Sequence, residues 1–569
     1  MAHDDSPARC TARTATAVLT GGSLLALGGG AGALAAALLA TPAGAATYSV
    51  TTTNDTGAGS LRQAIIDANA NAGLDSITFA AGLSGTITLA SDLPAITEGV
   101  VIQGPGANAL TISGAGAHHA FLVYTGGTGG VVISGLTITQ SVGTAVGLGN
   151  IAGGAITVTD SPLSLRDMHI VDNSAESASS DTAGGGIYVK NTAGTGDVDV
   201  ADSVLSDNVA DTSSGTDESA GGGAWIQADN ITMSTTVATR NSAYFGGGIY
   251  LASRNHLDVS GTAVTDNHAE FYAGGMAVGG ANVNVSDSIV TGNTSASVVG
   301  GAYIAAGYGP GPFGLTVSNT RISNNTADEL GGALIINVDP SSVSVLDRVT
   351  ITENTGDQIG GTCVFGSARI SSSTIANNTG AGINFGQDFG PVSVSSGLQP
   401  STSLPVAPVT ATISNSTVSG NTREGITTNA DLYNGVVSTT QADLSPSAPL
   451  PPPPVELGLV HVLAADNGLE DVASSAISLF SLIERPSAGV LAGFGTQTGV
   501  DPALQPLQRV NATTSVVPIL AGSPAWDAGY PEFTPPPSTD QRGLPRVVQI
   551  VDIGAFEVQE YFLRPRFTG

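Results

Sequence analysis

The sequence predicts an all-β protein: a right-handed single-stranded parallel β-helix with a short N-terminal capping helix and a C-terminal cap. Three observations predict it. The 569-residue chain carries 76 Gly and only 11% charged residues, and Ser, Thr, Asn and Val are plentiful, a mixture that favours short strands joined by tight turns. A six-residue pattern recurs: Ser or Thr, any residue, an aliphatic residue, two small or polar residues, then Asn. It occurs at 203–208, 288–293, 320–325, 373–378 and 416–421, with looser copies ending at Asn173, Asn241, Asn267 and Asn354. Most copies are followed by Gly-Gly and three strand-forming residues, as in Gly185-Gly186-Ile187-Tyr188-Val189 and Gly222-Gly223-Ala224-Trp225-Ile226.

Repeats of this kind stack as turns of a solenoid, with side chains alternating in and out along each strand. The aliphatic residue three before each Asn (Ile170, Leu205, Val264, Val290, Ile322, Ile351, Ile375, Val418) then points inward, as do Val189, Ile226, Leu251, Val278, Ile304, Ile335 and Val364 after the Gly pairs. Asn173, Asn208, Asn241, Asn267, Asn293, Asn325, Asn354, Asn378 and Asn421 form a ladder of amide hydrogen bonds along the axis. Gly-Gly lets neighbouring coils approach closely. The irregular spacing of the Asn residues implies loops of variable length at one corner.

Taken in order, residues 1–45 read as a signal peptide. Arg9 and Arg13 precede an apolar stretch over 16–40 and the small-x-small pattern Ala43-Gly44-Ala45. Export follows, to an extracellular or cell-surface location, and the later chain has no transmembrane pattern. Cys363 is the only cysteine after the signal, so no intrachain disulfide is expected. Residues 46–115 hold the N-terminal cap and first coils. Ser60-Leu61-Arg62-Gln63 opens a helix with Leu61, Ala64, Ile65 and Ala68 on one face, and Gly73 is placed to end it. The helix plugs the first coil, protecting strand edges that would otherwise aggregate. Residues 116–520 form the solenoid, with extended Pro-rich loops at 398–408 and 445–454. Residues 521–569 form the C-terminal cap.

The formal net charge of −29 repels phosphate backbones, which excludes nucleic acid as a partner. No cofactor is expected; a chain of this charge attracts cations, Ca2+ among them. A monomer is expected.

Two columns carry the candidate chemistry. Between the inward positions of the Gly-Gly repeats lie Tyr188, Trp225, Tyr250, Ala277, Tyr303, Leu334 and Cys363, which must face outward. Coils about 4.8 Å apart would stack these aromatics into a stripe. Tyr244, Phe245, Phe271 and Tyr272 lie nearby, with Glu218, Glu270, Asp328 and Glu329. Aromatic faces beside carboxylates suit sugar rings, so the stripe is a candidate site for an extended polysaccharide or a cell-surface glycan. Plain packing of Tyr on a sheet is the structural alternative. The second column precedes the Asn ladder: Asp172, Asp207, Arg240, Asp266, Gly292, Asn324 and Glu353. Asp172 and Asp207, about 5 Å apart on adjacent coils, match the separation used by retaining glycosidases and are the candidate catalytic pair. They equally suit Ca2+, or simply ordinary turns. His118-His119 reads as a surface turn, and Asp527, Asp540, Arg542, Arg546, Asp552 and Glu557 as ties that hold the C-terminal cap.

Both ends carry a family likeness. Thr51-Thr52-Thr53-Asn54-Asp55, residues 59–65 (GSLRQAI), Asp67-Ala68-Asn69 and residues 75–79 (DSITF) resemble the start of secreted β-helix proteins with a CSLREA-like N-terminus, with Gln63 in place of the usual Glu. Residues 522–529, 539–543 and 551–557 resemble the choice-of-anchor module of the same proteins, with Trp526 in place of an aliphatic residue. The coils resemble the repeats of polymorphic outer-membrane proteins, whose membrane barrel has no counterpart here. The resemblance implies a secreted β-helix and says little about activity. Three function classes follow: a non-catalytic, adhesin-like surface protein, a polysaccharide lyase or glycoside hydrolase, or a purely structural envelope spacer that binds no ligand. Lys190 is the sole lysine, and the Asn-Thr-Asp, Asp-Asp and Gly-His-Gly motifs of polygalacturonases do not occur in the mature chain. Both facts favour the first class.

Overall fold

The computed structural model describes residues 44–559 except 128, 147–149, 178–181, 213–218, 308–312, 338, 340, 387–408, 429–454, 534–536 and 548–549. Most of the signal-peptide segment, Glu218 and both Pro-rich stretches lie outside the described residues.

Successive turns of chain stack into a parallel β-helix with three faces. The first sheet holds the strands after Gly-Gly, such as Ile187–Lys190, Met276–Gly280, Ala302–Ala306 and Ala333–Asn337. The second holds strands such as Asp75–Phe79, Val198–Ala201, Asn282–Ser286 and Gly314–Ser318. The third holds the strands before Asn, such as Val204–Ser206, Val237–Thr239, Ala263–Thr265 and Ile289–Thr291. Each strand pairs in parallel with its counterpart one coil on, as in Met276↔Ala302↔Ala333, Asn282↔Gly314 and Val237↔Ala263↔Ile289. All fifteen aliphatic residues expected to point inward line one continuous buried core.

Two corners recur in the left-handed region along the regular coils. One precedes the Asn: Asp172, Asp207, Arg240, Asp266, Asn324 and Glu353 have φ of 53–61°, with Gly at 292 and 420. The other joins the second sheet to the third, at Asp167, Asp202, Thr235, Asp287, Asn319, Arg348, Ser372, Asn415 and His461. Asp, Asn and Gly tolerate this region best, which is why they recur at these corners. The Ser or Thr that opens the six-residue pattern follows the second corner. Its hydroxyl accepts from the coil before: Ser288 Oγ from Thr262 N–H (3.2 Å), Ser373 Oγ from Val349 N–H (3.0 Å), Ser416 Oγ from Ser373 N–H (3.1 Å).

The Asn side chains form a continuous buried ladder. Each Oδ1 accepts from the backbone N–H and the Nδ2 of the previous Asn, as Asn293 Oδ1 does from Asn267 (3.0 and 2.9 Å). Each Nδ2 also donates to a strand carbonyl, as Asn293 does to Val264 O (2.9 Å). The ladder runs from Asn173 to Asn467 and stops at Asp471, whose carboxylate accepts from Asn467 Nδ2 (2.8 Å). An acceptor suffices there, because no further rung follows. Beside the ladder, a Cβ on Gly275 would lie 2.6 Å from Gly301 O and 2.8 Å from Asn293 Nδ2, so only glycine fits.

The N-terminal helix α1 (Leu61–Ala70) buries Leu61, Ala64, Ile65 and Ala68, and the Ser60 hydroxyl caps it by accepting from Gln63 N–H. The helix ends at Asn71, two residues before Gly73, with the Asn71 N–H on Ala68 O. At the far end the last coil closes with Gln497–Thr498. The C-terminal segment then runs back along the outer face of the third sheet instead of closing the end of the cylinder. Arg321 Nε donates to Ala512 O (2.8 Å), Ser515 N to Thr350 Oγ1 (3.1 Å), Gln541 Nε2 to Val349 O (3.2 Å), and Ala555 N to Thr417 Oγ1 (3.0 Å). It is a lateral buttress, and its partners lie more than a hundred residues away in sequence, which local pattern does not reveal.

Candidate functional site

Between each Asn and the following Gly-Gly, the chain leaves the cylinder and returns. These excursions are not loose loops. Ser174–Ser177, Val209–Thr212, Ser242–Phe245, His268–Tyr272 and Thr294–Ser295 on the way out, with Thr182–Ala183 and Ser219–Ala220 on the way back, pair into a second, smaller sheet. That sheet lies over the outer face of the first sheet.

The aromatic column therefore forms, but under a cover. Tyr188, Trp225 and Tyr250 are in register. Tyr188 stacks on Trp225 at 4.8 Å and 12°, and Trp225 on Tyr250 at 6.1 Å and 8°. All point away from the main core, yet Tyr188, Trp225, Tyr250 and Tyr303 are only 2–7% exposed. They build a second apolar core with Phe245, Tyr272, Val298, Val299, Leu330 and Ile359 of the excursions. The solvent-exposed stripe expected from sequence is thus corrected: Tyr188, Trp225, Tyr250, Tyr303 and Tyr272 face away from the axis but are sealed from water. Burial pushes the Tyr188 hydroxyl up to about 12.

The rim of this second core does reach solvent. Tyr244 and Phe271 are partly buried and stack at 5.3 Å and 11°. The same ridge continues coil by coil: Val298 N donates to Phe271 O (3.1 Å), Glu329 N to Ser297 O (3.1 Å), and Gln358 N to Glu329 O (3.4 Å). Aromatic faces are thereby followed by a hydroxyl, a carboxyl and an amide. Partial burial, then the neighbouring Asp328, raises the Glu329 carboxyl. Glu270 and Asp328 are exposed beside them.

Asp172 and Asp207 belong to a left-handed corner, which accounts for their residue type without chemistry. Asp207 is also gripped by Arg240 of the next coil through Nε–Oδ1 and Nη2–Oδ2 contacts of 2.7 Å each. That pairing holds its carboxyl below the usual range, so it is no proton donor near neutral pH. Among the described residues, oxygens of Asp466, Glu484 and Asp501 lie within 4.8 Å of one another. Burial, then Glu484 and Asp501, raises Asp466.

His119 is buried, contrary to the surface turn expected, with ring nitrogens 3.3 Å from Val142 O and 3.0 Å from Phe121 O. The C-terminal charged residues tie the buttress together. Arg542 holds Asp540 Oδ2 through Nε and Nη2 (2.8 and 2.6 Å), with its guanidinium 3.7 Å above the Phe556 ring. Asp552 accepts from the N–H groups of Asp527 and Val558 (2.6 Å each), and Glu557 accepts from Asp552 N–H (3.0 Å). The clamp onto the coils joins Arg546, one of the expected ties, to Asn415, His461 and Tyr530, whose role the sequence did not signal. Arg546 Nη2 donates to Asn415 Oδ1 (3.1 Å), His461 Nδ1 to the same oxygen (3.1 Å), and Tyr530 N–H to His461 Nε2 (3.1 Å). Burial, then the Arg546 charge, lowers His461 to about 4, which keeps the ring neutral as this pattern requires. Burial raises Asp552 to about 6. Asn467 also went unsignalled, because its copy of the repeat (462–467, VLAADN) lacks the opening Ser and the bulky aliphatic residue.

No helix among the described residues is long and apolar enough to cross a membrane. No known protein-family profile matches the chain, and no curated protein sequence matches it. Among solved structures it is similar to the periplasmic alginate epimerase AlgG, at 10% identity and TM-score 0.31, over 71% of this chain and 77% of that one. It is also similar to the pectate lyase Pel9A, at 12% identity and TM-score 0.30, over 90% of this chain and 96% of that one.

Proposed function

We propose that this is an exported, adhesin-like β-helix protein that binds an extended glycan along the ridge of its covering layer. One observation carries the reading: the parallel Tyr244–Phe271 pair at the solvent rim, continued along the ridge by Ser297, Glu329 and Gln358. Stacked coils repeat about every 4.8 Å, close to the length of one pyranose unit in an extended chain. Aromatic faces take the apolar side of a sugar ring, and the polar residues take its hydroxyls. The buried column of Tyr188, Trp225, Tyr250, Tyr303 and Tyr272 acts as the rigid floor that fixes the pair. Export is supported by the signal-peptide pattern over residues 1–45 and by the likeness of both chain ends to CSLREA-like and choice-of-anchor proteins.

The test is a glycan array probed with the chain from Ala46 onward and with a Tyr244→Ala/Phe271→Ala variant. Binding by the parent and its loss in a still-folded variant is the expected result; a parent that binds nothing overturns the reading. Polysaccharide lyase or hydrolase activity is the competing function. It predicts new unsaturated or reducing ends when acidic polysaccharides are incubated with the protein, with or without Ca2+.

A further inference from the structure

The chain enters its first strand past a buried carboxylate. Thr47–Val50 pairs in parallel with Asp75–Phe79, and Asp75, at the head of the second strand, is fully buried. Its Oδ1 accepts from the Ala46 backbone N–H (2.7 Å) and from Nδ2 of Asn71, the residue that ends helix α1 (2.8 Å). Its Oδ2 is buried and has no hydrogen-bond partner. No basic side chain among the described residues forms an ion pair with it. A buried carboxylate with one empty oxygen and no counter-charge is costly.

Ala46 is also the residue that the small-x-small pattern Ala43-Gly44-Ala45 places first after export. In the uncut chain its nitrogen is an amide whose single hydrogen is already given to Oδ1. Hydrolysis of the Ala45–Ala46 bond by a signal peptidase changes that nitrogen. The oxygen of water joins the Ala45 carbonyl carbon and the C–N bond breaks. The nitrogen keeps its own hydrogen and takes up both protons of the water. Ala45 leaves as a carboxylate, and Ala46 begins with an ammonium, three donors and a positive charge where one donor stood. The cut also takes Gly44 O from Asn71 Nδ2 (2.6 Å), an exposed contact that water replaces.

We infer that Ala46 is the mature N-terminus and that its ammonium pairs with Asp75, supplying the missing donor to Oδ2 and the missing counter-charge; this rests on the export reading given above. Backbone pairing holds the ammonium in place, because the Ala46 carbonyl accepts from Ser76 N–H (2.8 Å) and Thr47 is in register with Ser76. Through Asn71 the same carboxylate ties down the end of α1, the helix that plugs the first coil. Removal of the signal segment is thus the step that completes the N-terminal end of the solenoid.

Two measurements test this. The intact mass of the full chain after secretion from a bacterial host reports the cut, and a product beginning at Ala46 is expected. Hydrogen exchange then compares the chain from Ala46 onward bearing a free amine with the same chain acetylated there, since acetylation restores an uncharged amide with one hydrogen. Exchange in Thr47–Val50 and Leu61–Ala70 should quicken at least about tenfold on acetylation, with Met276–Gly280 unchanged. In Asp75→Asn, which keeps the side chain's shape without its charge, acetylation should make no difference; the free and acetylated parents decide the matter even if that variant does not fold. A secreted chain that stays uncut sinks the export reading and the inference with it. A cut at another bond, equal exchange with and without acetylation, or an acetylation effect that persists in Asp75→Asn overturns the inference and leaves export standing.

Discussion

Removing a single rung shows what the Asn ladder contributes. Asn293 is fully buried, and its side chain makes four hydrogen bonds: Oδ1 with Asn267 N and Nδ2, and Nδ2 with Val264 O and Asn325 Oδ1. Asn293→Ala deletes all four. It leaves the Asn267 N–H and one Asn267 Nδ2 hydrogen buried without partners, and takes one donor from the Val264 carbonyl. At about 1 kcal/mol net per bond, the loss is ~4 kcal/mol. Asn293→Asp costs at least as much at neutral pH, because a carboxylate keeps the two acceptances but presents an oxygen to Val264 O and Asn325 Oδ1. Only at Asp471, where the ladder ends, does a pure acceptor fit. The assay is urea unfolding followed by far-UV circular dichroism, with hydrogen exchange at the Asn267 amide as the local readout. Asn230→Ala, which removes one surface hydrogen bond to Asp197, is the control and should cost no more than about 0.5 kcal/mol. If Asn293→Ala shifts the midpoint no further than this control and leaves the Asn267 amide protected, the ladder does not stabilise the stack and the reasoning fails.

Two further outcomes follow from the covering layer and the buttress. Trp225→Ala should lower stability by about 3–5 kcal/mol, as for a core aromatic, and should speed hydrogen exchange in Ser242–Phe245 and His268–Tyr272 before the main cylinder opens; a surface-like effect would mean that the cover is not packed on the column. The His461 ring stays neutral down to about pH 4 when clamped but takes a proton near 6.5 when released, so its contribution is complete above pH 6.5 and is lost as pH falls towards 4. Asp552 works the other way: its folded value of about 6 against 3.8 gives stability that is present below 3.8 and lost as pH rises through 6. The two nearly cancel, and Asp552→Asn should unmask acid-induced release of residues 499–559 between pH 6.5 and 4, read by hydrogen exchange or limited proteolysis.

Much of the cylinder was legible because its constraints are local and repeated. The inward aliphatic residues and the Asn positions each occupy one place per coil, and stacking turns such places into columns. The in-register stacking of Tyr188, Trp225 and Tyr250 followed from the same argument. Their burial did not, because Val209–Thr212 and Ser219–Ala220 look like turn residues until their neighbours in the next coil complete a sheet. Asp172 and Asp207 misled for a related reason: a left-handed corner and a catalytic carboxylate favour the same residue type, and only the backbone angle and the grip of Arg240 tell them apart. The buttress was hidden by distance, since Gln541 meets Val349 across 192 positions of sequence.

Because the excursions begin after a fixed Asn and most end before a fixed Gly pair, length changes there leave the cylinder's alignment untouched. A whole turn, such as the 24 positions from Asn354 to Asn378, is likewise a unit that begins and ends on the same rung. The molecule can therefore be lengthened, shortened or given a new outer coat by insertion and deletion alone, with no compensating change inside.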